Sequence, residues 1–297
     1  MKISPFTYHR PDSLEQACAL LAEHGDESKV LAGGQSLLPI MALRLGRPEH
    51  VVDIGAIPGL DAINVGRGSG DKPTVSIGAL VRHAQAERSD ELAELAPIVH
   101  QAMPHISHRA IRTRGTVCGS IAHADPAAEM PAVCVAADAT MTATSIEGTR
   151  HIAAADFFHG YLDTELRADE ILTQLTFPAA IAGQGTSVVE ESRRQGDFAL
   201  IGLACSLRVE ATEISEVALS FFGAASTAVR CTEAEEVLVG QEPSAARFAE
   251  AARIVSKSLT PGADIHASAN YRQPLAGVLT IRGLAEAHAA IKTGASA

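Results

Sequence analysis

Two stretches of this 297-residue chain carry the residue types that hold a polyphosphate. Residues 31–38 (LAGGQSLL) lead an apolar run through Gly33 and Gly34 to the hydroxyl of Ser36, at the start of a helical pattern. Residues 111–131 (IRTRGTVCGSIAHADPAAEMP) set Gly119 and Ser120 behind Thr116 and close on Asp125, Pro126 and Glu129; Arg109, Arg112 and Arg114 put positive charge just upstream. Glycine permits positive φ and lets a diphosphate approach bare backbone N–H groups. A helix N-terminus adds partial positive charge. Ser36, Thr116 and Ser120 supply hydroxyl donors, and Asp125 or Glu129 can accept from a ribose hydroxyl. Taken alone, the first stretch is as readily a helix-entry turn, and the arginines as readily a solvated basic face. Two such loops in one chain suggest a single bound polyphosphate.

Other chemistries find little support. No G-x-G-x-x-G follows a strand and no G-x-x-x-x-G-K-S/T occurs, which argues against Rossmann and P-loop sites. There is no G-x-S-x-G, and Gly119-Ser120 stands in the wrong context for a nucleophile elbow. The five cysteines, Cys18, Cys118, Cys134, Cys205 and Cys231, form no C-x-x-C pair and are odd in number, so neither a disulfide framework nor an iron–sulfur or zinc site is expected. His100, His105, His108 and His123 match no familiar ligand spacing and read as polar or capping residues. A net charge of −11 repels phosphate backbones and argues against nucleic acid as a partner. No uncharged apolar run reaches the ~18 residues of a membrane span, and the N-terminal residues lack the apolar core of a signal peptide. The expectation is a cytoplasmic protein.

The elements that must position the two loops are legible in outline. Ser13 caps an amphipathic helix to His24 with Gly25 as its stop, and Leu14, Ala17, Cys18 and Leu21 form its apolar stripe. Residues 29–32 read as a short strand into Gly33, and 37–45 as a helix that tolerates Pro39 in its first turn. Strands are expected over 49–54 and 74–78. A helix follows over 91–103, kinked or split at Pro97. Residues 116–120 read as a turn, 156–161 as a short helix between strands 149–155 and 170–177, and 178–185 as a linker. Beyond it, antiparallel strands at 187–191, 199–209 and 216–222 precede helices at 231–238, 244–258 and 271–292. In the polar turn 193–198 (RRQGDF), Phe198 reads either as a core residue or as part of a site. Short strands and helices mixed in this way give an α+β fold.

On these residues the chain resembles the FAD-binding medium subunits of the xanthine dehydrogenase and carbon monoxide dehydrogenase family of molybdenum hydroxylases. Residues 6–14 (FTYHRPDSL) look like the family's opening, and 31–45 (LAGGQSLLPIMALRL) are similar to its first flavin motif. Residues 112–131 are similar to its second, usually T-I/V-G-G-N/S before an A-x-P-x-x-D/E run, and Gly196-Asp197-Phe198-Ala199 resembles the entry to its C-terminal domain. The likeness runs almost end to end, with the motifs in matching order and separation.

The resemblance implies an α+β fold. An FAD-binding domain of the vanillyl-alcohol oxidase and p-cresol methylhydroxylase type would span 1–178, in two subdomains of about 1–57 and 58–178. A smaller α+β C-terminal domain would span 186–290. FAD would be held at its pyrophosphate by Leu31, Ala32, Gly33, Gly34, Gln35, Ser36 and Leu37 together with Thr116, Val117, Cys118, Gly119 and Ser120. Ile106 would lie at the adenine end, Glu129 would meet the ribose or nearby hydroxyls, Leu172 would line the flavin cavity, and Phe198 would sit by the isoalloxazine ring. No metal ligand and no catalytic acid or base is implied on this chain. Its partners would be a molybdopterin-binding large subunit and a small 2Fe–2S subunit, assembled as a dimer of heterotrimers. Its role would be to pass electrons from the 2Fe–2S centres through FAD to an external acceptor. The alternatives are a stand-alone flavin oxidoreductase and an assembly subunit that has lost FAD. Two departures bear on these. Cys118 replaces the first glycine of the second motif, which requires φ < 0 there or strain. Glu190 falls where some relatives carry lysine, which inverts the local charge. Valine at Gly33 or Gly119 is expected to abolish FAD binding in a folded chain.

Overall fold

Ser13 accepts from the Gln16 backbone N–H and caps helix Leu14–His24, which Gly25 ends at φ +49°. The computed structural model describes residues 2–294. The helix buries Ala17, Cys18 and Leu21, the stripe expected from their spacing. It leads from strand Thr7–His9 to strand Ser28–Leu31, and the next helix, Leu37–Ala42, leads on to strand His50–Asp53. The last strand takes the centre of a three-stranded sheet and pairs parallel with both others. Parallel pairing needs these crossover helices, so the glycine loop 32–36 falls at the C-terminal end of a strand.

The next unit is a five-stranded antiparallel sheet in the order Ile63–Arg67, Pro73–Gly78, Ile171–Pro178, Thr140–Ser145, Gly148–Ala153. Helices Asp90–Leu95 and Pro97–Ala102 are separate, with Pro97 opening the second where its missing N–H costs nothing. Helix Glu129–Ala136 is buried along nearly all its length, the signature of a helix enclosed on all sides. It packs against helix Pro97–Ala102 and against strands Ala199–Glu210 and Glu213–Phe222 of the C-terminal unit. One core therefore runs from Val75 and Phe157 through Met130 to Ala204 and Phe222.

The C-terminal unit is a four-stranded antiparallel meander from Gln184–Ser192 to Val229–Arg230. Helices Ala245–Ser258 and Ala269–Gly294 cover it, with Leu203, Leu219, Phe221, Phe248 and Leu279 in their shared core.

Three local expectations are corrected. Residues 156–161 are not a helix. Phe157 turns fully into the core, and Phe158–Gly160 pairs with Asp163–Thr164 in a small hairpin whose turn places Leu162 at φ +57°. Strand Ile63–Arg67 was not expected. It is a short edge strand with mostly exposed side chains, and the alternation of Ile63 and Val65 with Asn64 and Gly66 is too brief to mark it. Residues 117–123 are a helix rather than a turn: Thr116 Oγ1 accepts from Gly119 N (3.1 Å) and caps helix Val117–His123.

The C-terminal unit holds an ionic knot around the buried Glu235. Glu235 accepts from the Leu219 backbone N–H (2.8 Å) and from Arg230 Nε and Nη2 (3.0 and 2.7 Å). Glu235→Ala leaves both donors without their acceptor and should cost roughly 2–4 kcal/mol. The expected readout is a lower urea midpoint with flavin content per folded chain unchanged.

Candidate functional site: a flavin cleft

The two glycine loops meet. A Cβ on Gly33 would stand 2.4 Å from Arg114 O, 2.7 Å from Gly115 Cα and 3.0 Å from Thr116 N, so backbone packs directly on backbone. Gly34 turns at φ +71°, a conformation that L side chains resist. Among the described residues, no group of the chain accepts from the backbone N–H groups of Gly33, Gly34, Gln35, Ser36 or Leu37. Such a run of unpaired donors is costly unless water or an anion meets it. The Ser36 side chain does not cap its own helix, and Ser36 lines the cleft.

These loops form one wall of a cleft of about 440 Å³. Ala32, Gly33, Gly34, Gln35, Ser36 and Leu37 line it, with Thr116, Cys118, Gly119 and Ser120 beside them and Ile106, Glu129, Leu172 and Phe198 around the remainder. Leu31 and Val117 do not line it. Leu31 packs under Gly34, with Cδ1 3.2 Å from where a Cβ would sit. Val117 is fully buried and gives its N–H to Val81 O (3.0 Å). The turn that carries Gly196, Asp197 and Phe198 closes the cleft from the C-terminal unit. Gly196, at φ +88°, lies so close to His108 that a Cβ would meet Nδ1 at 2.4 Å. Phe198 is 64% exposed, so it is not a core residue; its ring is free to stack on a planar ligand.

The upstream arginines are not the source of positive charge. Arg112 is spent on Glu87 (3.0 and 3.1 Å) and on the carbonyls of Ile106 and Ser107 (3.2 and 2.8 Å), which fixes the segment that carries Ile106. Arg109 and Arg114 are exposed and outside the cleft lining, whereas Lys29 is within it. Lys29, His83 and Glu170 were not singled out from sequence as cleft residues. They come from a strand, a short helix and the edge of another strand, and no local motif marks them. His83 lies under Gly115, and burial pushes its pKa down to about 4, so the ring is neutral.

Cys118 imposes no strain. It is the second residue of a helix and is not among the positive-φ residues. Its thiol points into the core, 3.6 Å from Ile77 O. A helix N-terminus usually favours a thiolate, but complete burial wins and pushes this thiol far above its ordinary value. Cys118 is therefore a packing residue.

Glu129 is the electrostatic centre of the cleft's far side. Burial pushes its carboxyl up to about 8, with the nearby Glu190 and Asp125 adding to the shift and His105 opposing it. Glu190 lies 3.5 Å from His105 Nδ1 with its side chain 7% exposed, and its Oε2 has no partner. Glu190 raises His105 above the ordinary imidazole value. A neutral Glu129 can donate as well as accept, and it adds no negative charge to a cleft that must admit a diphosphate. Asp125 Oδ1 is already used by Ala127 N (2.9 Å), which leaves Glu129 as the freer partner for ligand hydroxyls.

Residues 4–180 match the family model described as FAD binding domain in molybdopterin dehydrogenase, and residues 188–287 match the CO dehydrogenase flavoprotein C-terminal domain. The chain belongs to the FAD-binding medium subunits of the molybdenum hydroxylases. It is 41% identical to the nicotine 6-hydroxylase medium subunit of Paenarthrobacter nicotinovorans over 97% of this chain and 99% of that one. It is 39% identical to the 6-hydroxypseudooxynicotine dehydrogenase complex subunit alpha of the same organism, over 97% and 96%. A solved structure of carbon monoxide dehydrogenase from Hydrogenophaga pseudoflava, lacking the Mo-pyranopterin moiety of its molybdenum cofactor, superposes with a TM-score of 0.92 at 34% identity and covers 97% of this chain and 99% of its own. The cofactor of this medium subunit is FAD, and the cleft fits it: unpaired N–H groups and bare backbone for a pyrophosphate, a buried carboxyl for hydroxyls and an apolar end with a free aromatic ring.

The glycines cannot be tested as first expected. A side chain at Gly33 would drive the two loops apart, and a Cβ at Gly119 would stand 2.6 Å from the capping hydroxyl of Thr116, so valine at either position damages the fold as well as the cleft. Ser36→Ala and Ser120→Ala are the cleaner probes. Each should weaken FAD binding by roughly 0.5–1.5 kcal/mol, about 2- to 12-fold in Kd, with melting temperature unchanged in the apo chain. Gly33→Ala should lose both flavin and thermal stability. Fluorescence titration with FAD and apo-chain melts separate the two outcomes.

The raised Glu129 carboxyl gives a pH dependence of definite sign. The unfolded chain ionises near 4.5 and the folded chain near 8, so this group's contribution to stability is full below about pH 4.5 and is lost as pH rises towards 8. Glu129→Gln should flatten the fall in apo-chain stability across that window, read from urea midpoints at its two ends.

Proposed function

We propose that this chain carries FAD as the electron-transfer subunit of a heteromeric molybdenum hydroxylase. It takes electrons from 2Fe–2S centres on a small partner subunit and delivers them to an external acceptor, while a large subunit holds the molybdopterin and oxidises the substrate. The observation that carries this reading is the seating of Gly33 on the 114–116 backbone, which sets the unpaired N–H groups of residues 33–37 beside the start of helix Val117–His123 in one cleft wall. Bound flavin supplies a centre that accepts electrons singly and can release two. The chain's own residues bind, orient and tune. Gly33 to Leu37 with Thr116, Gly119 and Ser120 hold the pyrophosphate, Ile106 packs by the adenine end, and Glu129 meets the hydroxyls. Leu172 and Phe198 bound the ring end of the cleft.

Leu43 and Leu45, close together in the chain, are 56% and 78% exposed, apolar side chains that a partner subunit would cover. No described helix is long and apolar enough to cross a membrane. Five free, buried cysteines suit a reducing compartment, so the cytoplasm is the proposed location. The packing of Cys118 leaves no reason for a subunit that has given up its cofactor.

In the assembled complex, removal of FAD should leave reduction of the 2Fe–2S centres by substrate intact while abolishing reduction of the external acceptor. The flavin-loaded chain alone should show bands at roughly 370 and 450 nm and no substrate turnover. Substrate oxidation by the isolated chain would instead establish a stand-alone oxidoreductase.

A further inference from the structure

Away from the cleft, on the first subdomain, three histidines from three segments pack together. His9 ends the edge strand Thr7–His9, His24 is the last residue of helix Leu14–His24, and His50 opens the central strand His50–Asp53. His9 Nε2 and His50 Nδ1 are 2.9 Å apart. The His24 and His50 rings stack with centroids 3.6 Å apart, and the His9 ring lies 5.3 Å from His24 and 5.2 Å from His50. One ring nitrogen of each lies within 4.8 Å of those of the other two, and all three residues are half-buried. Nothing in the flavin reading uses them, and their spacing along the chain resembles no ligand motif.

We propose that His9, His24 and His50 form a binding site for a borderline divalent transition ion such as Zn²⁺. Imidazole nitrogen suits Zn²⁺, Cu²⁺ and Ni²⁺ and disfavours Mg²⁺ and Ca²⁺, which take oxygen. The backbone beneath the three rings is fixed independently of any ion. Glu49 N donates to Glu27 O (2.9 Å) and Thr7 N to Glu49 O (2.7 Å), tying together the segments that carry the three rings. His24 stands at a helix C-terminus, whose partial negative charge favours a cation. Glu27 and Glu49 carry carboxylate oxygens within 4.8 Å of His50 and of one another, so a fourth ligand or a neutralising outer charge is at hand. The stacked rings of His24 and His50 do not aim their lone pairs at one point. Coordination would require a turn about the soft terminal torsion of His24, and the ion would then replace the His9–His50 hydrogen bond. Bound there, the ion would staple the edge strand, the helix end and the central strand. It would stabilise the first subdomain by mass action without touching the flavin.

The test uses the full, FAD-loaded chain, stripped with EDTA and titrated calorimetrically with ZnCl₂ and separately with MgCl₂. The expected result is ~1 equivalent of Zn²⁺ per chain, a higher melting temperature, an unchanged flavin spectrum and no response to Mg²⁺. His50→Gln should abolish binding, and His24→Gln, at a half-buried helix end that should still fold, should weaken it at least about tenfold. Absence of stoichiometric Zn²⁺ binding would overturn the proposal. So would Zn²⁺ binding unchanged in His24→Gln but lost in Glu27→Gln or Glu49→Gln, because the carboxylates would then be the ligands.

Discussion

The close approach of Gly33 to the backbone of residues 114–116 is the constraint on which the rest depends. It joins a loop from the parallel three-stranded sheet to a loop that enters the antiparallel unit, 80 residues further along the chain. Only the absence of a side chain lets two backbones come so near. The contact sets residues 33–37 in the cleft wall, where no group among the described residues accepts from their N–H groups. Arg112 contributes indirectly: by pairing with Glu87 and two carbonyls it holds the 106–108 segment in place, and Gly196 then docks on His108. The cleft is thus closed by packing.

The enclosed helix Glu129–Ala136 is the second organising element. It fills the junction of the two domains with apolar side chains and carries one carboxyl into the cleft. Taking that group out of water while Glu190 and Asp125 stand near makes its ionised form expensive. The outcome is a neutral donor–acceptor beside an anion-binding wall. Glu190 finds its partner in His105, 3.5 Å away.

Wherever structure is set by near neighbours, the sequence alone was decisive. Ser13 and Gly25 delimit a helix because a cap and a positive-φ stop are properties of one turn of chain. Pro97 splits a helical run for an equally local reason. The α+β class, the two glycine loops and the motif order that marks the family were all readable in this way. Tertiary contacts decided the remainder. Val117, inside a motif, faces the core, while Lys29 and His83, outside any motif, face the cleft. Phe157 and Phe158 abandon a helical pattern because one ring is worth more buried in the core. Cys118 is harmless because the helix it joins already has φ < 0 and turns its thiol inward. Histidines at 9, 24 and 50 share no sequence pattern and meet because strand pairing and a helix end converge on one corner. Local propensity reaches only a few residues along the chain, whereas burial and close approach depend on which distant segments the fold brings together.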